Sequence, residues 1–204
     1  MNIDPADDED ALLATSDPIR LTRAWIADAA RTGPWSNAVS LATADAAGKV
    51  GCRTVLLFLR DDRLYFATSL ESRKGRDLMA VPYAAMSAFW MKVRQWRAEG
   101  PARLASEELA DTLFSEAPLP ERLLVRASAD GRPQTPDQLN VAYQDCRSRY
   151  ADVVVPRPGK WRAFQLLPET FEFWEADVVK WQHRCRRFTW DAESASWSSC
   201  FVGP

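Results

Sequence analysis

Apolar residues recur at two different periods along this chain, and the switches between them mark its elements. Leu21, Ala24, Trp25 and Ala29 follow Asp17-Pro18 at helical spacing, with an acidic cap residue ahead of proline at the first helical position. Beyond Gly33-Pro34 the pattern becomes alternating and predicts strands over Ala38 to Ala44, Val50 to Leu59 and Leu64 to Thr68, with turns at Asp45 to Gly48 and Asp61-Asp62. A short helix is predicted from Ser72 to just before Pro82, because a residue that precedes proline avoids helical dihedrals. Strands around Ala85 to Met91 and Gln95 to Leu104 follow.

Helical signals then take over. Ser106 caps a segment with Glu107 and Glu108 in its first turn, Leu119 to Ala129 forms another candidate, and Thr135-Pro136-Asp137 opens a helix to about Tyr150. Strands return at Arg162 to Leu167, Thr170 to Glu175, Arg187 to Asp191 and Ser196 to Val202. Strands at both ends must close around one core, so the expected class is α+β: an antiparallel barrel with peripheral helices. Residues 1–16 carry Asp4, Asp7, Asp8, Glu9 and Asp10 with little to bury and read as a mobile acidic leader, leaving 17–204 as a single domain.

Charge narrows the possible partners. A formal net charge of -2 gives no field for nucleic acid or an anionic membrane, and no apolar run reaches the ~20 residues of a membrane span. The expected setting is cytoplasmic and the expected partner a small molecule. Cys52, Cys146, Cys185 and Cys200 are scattered and His183 is the single histidine, which argues against a bound metal and against a histidine-based nucleophilic triad. Chemistry would have to be borrowed from a cofactor. Of the nine tryptophans, core filling is expected to account for most.

Thr68-Ser-Leu-Glu-Ser-Arg-Lys-Gly75 leaves a strand and enters a helix with Ser72, Arg73 and Lys74 at the junction. Unpaired amides, the positive dipole end, a hydroxyl and two cations suit a phosphate there, although a capped, solvated helix start fits the same residues. Arg53 shares a strand face with Val55 and needs an anionic partner, either a ligand or a structural carboxylate.

Arg53-Thr-Val-Leu-Leu57, Tyr65-Phe-Ala-Thr68, Ser72-Arg-Lys74, Gln95, Trp161-Arg-Ala-Phe164 and Phe171-Glu-Phe-Trp174 together resemble the pyridoxamine 5′-phosphate oxidase family, in order and rough spacing, from about Asp17 to the C-terminus. The resemblance implies a split β-barrel that dimerises and places flavin mononucleotide (FMN) at the subunit interface. It implies that Arg53, Thr54, Val55, Leu56, Ala67, Thr68 and Ser72 border the flavin, that Arg73 and Lys74 hold its phosphate, and that Gln95 reaches the ring, with Trp174 and Arg187 supplied by the second subunit.

The chain also departs from that family. The lysine closing the strand motif is Phe58 here, and the family's Tyr, Arg and Ser set on a later helix falls at Leu113, Ala117 and Glu121. A cationic site for a substrate phosphate has therefore lost its cations and gained a carboxylate. The family's Arg-Leu-His segment has no clean counterpart in Lys180 to Phe188, where His183 and Arg184 are the candidates to face substrate. Its Gln-Ser pair is not evident near Asp130-Gly131. The basic cluster Arg184, Arg186 and Arg187, and the arginines around Trp96, are either a solvated face or a place for a planar anion. These features point to an FMN-dependent oxidase for a cyclic or aromatic metabolite in specialised metabolism; a vitamin B6 phosphate oxidase and a non-catalytic flavin carrier are the alternatives.

Overall fold

The structure is a computed structural model that describes residues 15–91, 93–128, 131–177, 179 and 181–203. The proposed leader falls almost wholly outside these residues.

Helix α1 (Pro18–Thr32) starts where the sequence places it, with the Asp17 carboxylate accepting the Ile19 amide at 2.9 Å. Its buried stripe is Leu21, Thr22, Trp25 and Ala29, whereas Ala24 faces solvent. Trp25 meets Phe173 edge-on at 5.1 Å, and the Thr22 hydroxyl accepts the indole N–H of Trp96 at 2.9 Å, so α1 plugs one mouth of the barrel.

Ten strands follow: β1 (Ala38–Ala44), β2 (Val50–Leu56), β3 (Phe58–Arg60), β4 (Arg63–Ser69), β5 (Tyr83–Trp90), β6 (Arg94–Leu104), β7 (Trp161–Leu166), β8 (Thr170–Asp177), β9 (Gln182–Asp191) and β10 (Ser196–Phe201). The expected strand from Val50 to Leu59 is broken at buried Leu57, where the chain leaves the β1 ladder and begins to pair with β4; a continuous apolar run conceals that change of partner. Asp61 and Asp62 join β3 to β4 with φ of 47° and 55°, the pair of left-handed residues that a two-residue hairpin turn needs.

The main sheet runs β10-β9-β8-β6-β5-β1-β2, and β7 joins β4 to β6. Strand β6 pairs along one side with β5, while its other side is divided: Arg94 to Glu99 face β8 and Ala102 to Leu104 face β7. Gly100 lies at the division, where a Cβ would stand 2.1 Å from the Leu167 carbonyl oxygen. This is an antiparallel split β-barrel, and its main core holds Leu41, Phe66, Met86, Trp96, Phe164, Phe171, Phe173 and Phe188. Trp25, Trp90 and Trp96 are buried and Trp161 and Trp197 pack against the hydrophobic clusters, so core filling accounts for five of the nine tryptophans, as expected.

Among the described residues four further helices surround the barrel: α2 (Arg73–Ala80), α3 (Glu107–Glu116), α4 (Leu119–Ala127) and α5 (Pro136–Arg149). Among the described residues no helix is long and apolar enough to cross a membrane.

Candidate functional site: a cation-lined cleft and a second face

Strand β4 turns into α2 through Ser69 to Ser72. The Ser72 Oγ caps the helix by accepting the Gly75 amide at 3.3 Å, donates to the Ser69 carbonyl at 2.8 Å, and lies 3.0 Å from the Thr68 hydroxyl. Both hydroxyls are committed to shaping the turn. Gly75 allows the helix to settle on that turn, since a Cβ would fall 2.3 Å from the Ser69 carbonyl oxygen. The first-turn amides of a helix have no intrahelical acceptor and sit at its positive end, so this start is receptive to an anion.

Arg53 reaches toward the same helix from β2. Its guanidinium donates to the Thr43 hydroxyl at 2.7 Å and the Leu41 carbonyl at 3.2 Å, and stands 3.8 Å from the Asp77 carboxylate. Arg73 stands 3.8 Å from the same carboxylate, and Thr43 donates to it at 2.7 Å. Two guanidinium groups therefore share one buried acid. Burial pushes the Arg53 guanidinium below its ordinary value and Arg73 adds to the effect, while Asp77 opposes it. Room for the pair comes from Gly51, where a Cβ would lie 2.7 Å from Arg53 and 3.0 Å from Arg73.

These residues line a cleft of about 670 Å³. Its walls bring together Arg53, Thr54, Val55, Leu56, Phe58, Ala67, Thr68, Ser72, Arg73 and Lys74 from the sequence expectation, with Glu121, Leu124, Val125 and Trp161 across from them. Of the three positions matched to the family's later-helix set, only Glu121 lines the cleft. Leu113 is buried with Tyr65, Ala110 and Ala163, and Ala117 ends α3.

Gln95, Trp174 and Arg187 do not join this cleft within one chain. They line a separate cavity of about 480 Å³ with Phe89, Arg97, Glu172 and Cys185, on the face of β6, β8 and β9 that points away from the core. His183 stacks on Trp174 at 6.2 Å, and Arg184 is held by Glu175 at 3.0 Å rather than presented as a bare cation. Arg187 is paired with Glu172 at 2.6 Å. The expected Arg–Trp platform around Trp96 is divided between two faces: Trp96 is fully buried, and Arg94 is buried against Asp28 and Glu175 at 2.8 and 2.7 Å, whereas Arg97 faces the second cavity. A period of two sends neighbours to opposite sides, so adjacent Arg and Trp cannot serve one surface.

Sequence reasoning missed Gly51, Thr43 and Asp77. A glycine two residues before a part-buried arginine in one strand, and an acid four residues after Arg73 in one helix, were the available signals.

A split barrel with a cation-lined cleft at a helix start defines the structural class. The chain belongs to the pyridoxamine 5′-phosphate oxidase family, whose model matches residues 27–183. It is 35% identical over 187 residues to a pyridoxine/pyridoxamine 5′-phosphate oxidase of Gluconobacter oxydans, covering 90% of this chain and 92% of that one. A Bordetella petrii protein of the same name is 39% identical over 155 residues, 75% of this chain and 73% of that one. Among solved structures, PhzG from Burkholderia lata, in complex with tetrahydrophenazine-1-carboxylic acid, superposes with a TM-score of 0.85 at 26% identity, over 100% of this chain and 98% of that one. A pyridoxamine 5′-phosphate oxidase-related, FMN binding protein from Nostoc punctiforme shares the fold, with a TM-score of 0.75 at 18% identity and 100% coverage of both chains.

Proposed function

We propose that the protein is an FMN-dependent oxidase of a small cyclic or aromatic acid that carries no phosphate of its own. One observation carries this reading: Arg53, Arg73 and Lys74 line the cleft together with the carboxylate of Glu121 and the ring of Phe58, at positions where the family grips a substrate phosphate with cations. The cofactor takes this phosphate-grade anion site. Arg73 and Lys74 neutralise the FMN phosphate at the α2 start, Arg53 adds a third cation, and Thr54 to Leu56 with Ala67 and Thr68 form the wall beside it.

The ring end of the site comes from a second copy of the chain. Along the main sheet β6, β8 and β9, which carry Gln95, Trp174 and Arg187, lie three, four and five strands from β2, roughly 14 to 24 Å at ~4.8 Å per strand, so these residues complete the cleft of a neighbour rather than their own. Bound there, FMN would take a hydride from a substrate C–H bond and pass the electrons to oxygen. The chain's part is to hold and orient: the Gln95 amide offers donor and acceptor to the ring edge, and Trp174, backed by His183, supplies a flat wall that excludes water. PhzG, solved with a non-phosphorylated ring acid, supports this substrate class.

A second reading, oxidation of vitamin B6 phosphates, is favoured by the curated relatives at 35% and 39% identity. Purified protein should carry stoichiometric FMN in its visible spectrum, released on denaturation. Oxygen uptake with a dihydro-aromatic carboxylic acid, and little with pyridoxamine 5′-phosphate, is the expected result. Rapid turnover of pyridoxamine 5′-phosphate would transfer the assignment to the second reading, and a protein that cannot bind FMN would end both.

A further inference from the structure

The second cavity adds a further cation, Arg97, to the Arg187 already assigned to the flavin. On its floor Glu172, buried on β8, meets two arginines across its neighbouring strands. One carboxylate oxygen takes Arg187 twice, through Nε at 2.8 Å and a terminal nitrogen at 2.6 Å. The other takes a single terminal nitrogen of Arg97. Arg187 is thereby held side-on, while Arg97 is tethered at one point and its Nε is sealed from solvent without a hydrogen-bond partner.

Two guanidinium groups against one carboxylate leave the cluster with one positive charge in excess. The Arg97 side chain is 44% exposed, so the terminal nitrogen that Glu172 does not take is open to an acceptor on a ligand. Arg97 lies two residues beyond Gln95 on the same face of β6, and Phe89, which is 62% exposed, flanks the cavity with Trp174. Cys185 lies within electrostatic range of both guanidinium groups, and burial pushes its thiol up, so it brings no competing anion.

We propose that Arg97 is the specificity residue for a ring-borne carboxylate, so that the substrate is a planar monoanionic acid recognised at this cluster beside the ring end of the flavin. The proposal rests on the functional reading above and specifies its substrate class. Arg97 pairs with the carboxylate through the terminal nitrogen that Glu172 leaves unused, Glu172 positions both arginines, and Trp174 and Phe89 hold the flat ring. Neutral ring compounds of the same shape enter the same space but leave the excess charge unmatched.

The test uses FMN-loaded protein and two probes that cannot be oxidised, quinoline-2-carboxylate and quinoline-2-carboxamide, titrated by calorimetry and by perturbation of the flavin absorption band. The expected result is a preference of about 30-fold for the acid, as one charge-assisted hydrogen-bond pair supplies, which falls as salt is raised. Arg97→Gln should reduce that preference to within about 3-fold at unchanged flavin content, and Arg97→Lys should keep an intermediate value because the charge remains without the fork. Equal affinity for the two probes in the wild-type protein, or an undiminished preference in Arg97→Gln, overturns the proposal, as does a variant that loses flavin while binding the acid as before. Oxygen uptake separates this failure from that of the functional reading: turnover of reduced ring acids and amides alike leaves the oxidase standing without the carboxylate site, and turnover of neither removes the oxidase.

Discussion

Two arginine centres in this barrel differ in how closely their guanidinium groups are held by carboxylates. Arg94 is buried with two carboxylates, Asp28 and Glu175, at 2.8 and 2.7 Å, and its guanidinium also stacks over Trp25 at 5.1 Å. Arg53 and Arg73 share the single carboxylate of Asp77, each at 3.8 Å. The first centre is saturated and ties α1 to β6 and β8. The second is short of negative charge and opens onto a cleft. The closeness of the acids, 2.7–2.8 Å around Arg94 against 3.8 Å at Asp77, rather than burial alone, separates a cation that holds the fold from one that awaits a ligand.

This comparison can be broken from either side. Replacing Arg73 and Lys74 together by alanine removes two charge-assisted contacts of about 1.5–3 kcal/mol each, so FMN binding should weaken by at least ~100-fold while the urea midpoint of the flavin-free protein changes little. Retention of bound flavin through purification would show that the cleft holds no phosphate. Arg94→Met should act in reverse. It takes the shared inner partner from two part-buried acids, which keep Arg31 and Arg184, and should cost about 1–3 kcal/mol in chemical denaturation, with FMN affinity per folded molecule unchanged.

Smaller changes sharpen the contrast. Asp77→Asn removes the shared acid, so the two guanidinium groups repel and the flavin-free protein should lose about 1–2 kcal/mol; the rise in melting temperature on adding FMN should then exceed that of the wild type. An equal rise in both proteins would show that Asp77 is not restraining those cations. Gly51→Ala places a methyl group where the tips of Arg53 and Arg73 converge. The side chains can swing aside, so the expected cost is about 0.5–1.5 kcal/mol in FMN binding, read by fluorescence titration.

Much of the fold was legible because period and punctuation agreed. Asp17-Pro18, Ser72, Ser106 and Thr135 all cap helices where their side chains predict it, and the strand alternation placed the ladders within a few residues. The failures share a cause in changes of partner. Leu57 continues an apolar run while the chain moves from one ladder to another, and Gly100 marks a division of β6 that no local pattern encodes. Within the site, Arg53, Arg73 and Lys74 were legible as cations suited to an anion, but the meeting of Thr43, across the β1–β2 hairpin, and Asp77, on α2, around Arg53 is set by tertiary packing and not by any local pattern. Arg94 and Arg97 looked alike in sequence and were separated only by the strand parity that sends one to the core and the other to the outer face.

The placement of the cation-lined cleft and the Gln95–Trp174–Arg187 face at a distance of three to five strands has a genetic consequence under the proposed pairing. A chain disabled at Arg73 and Lys74 still carries a sound outer face, and a chain disabled at Trp174 and Arg187 still carries a sound cleft. Expressed together, the two inactive alleles should rescue one another: in each mixed pair one site inherits both defects and the other inherits none.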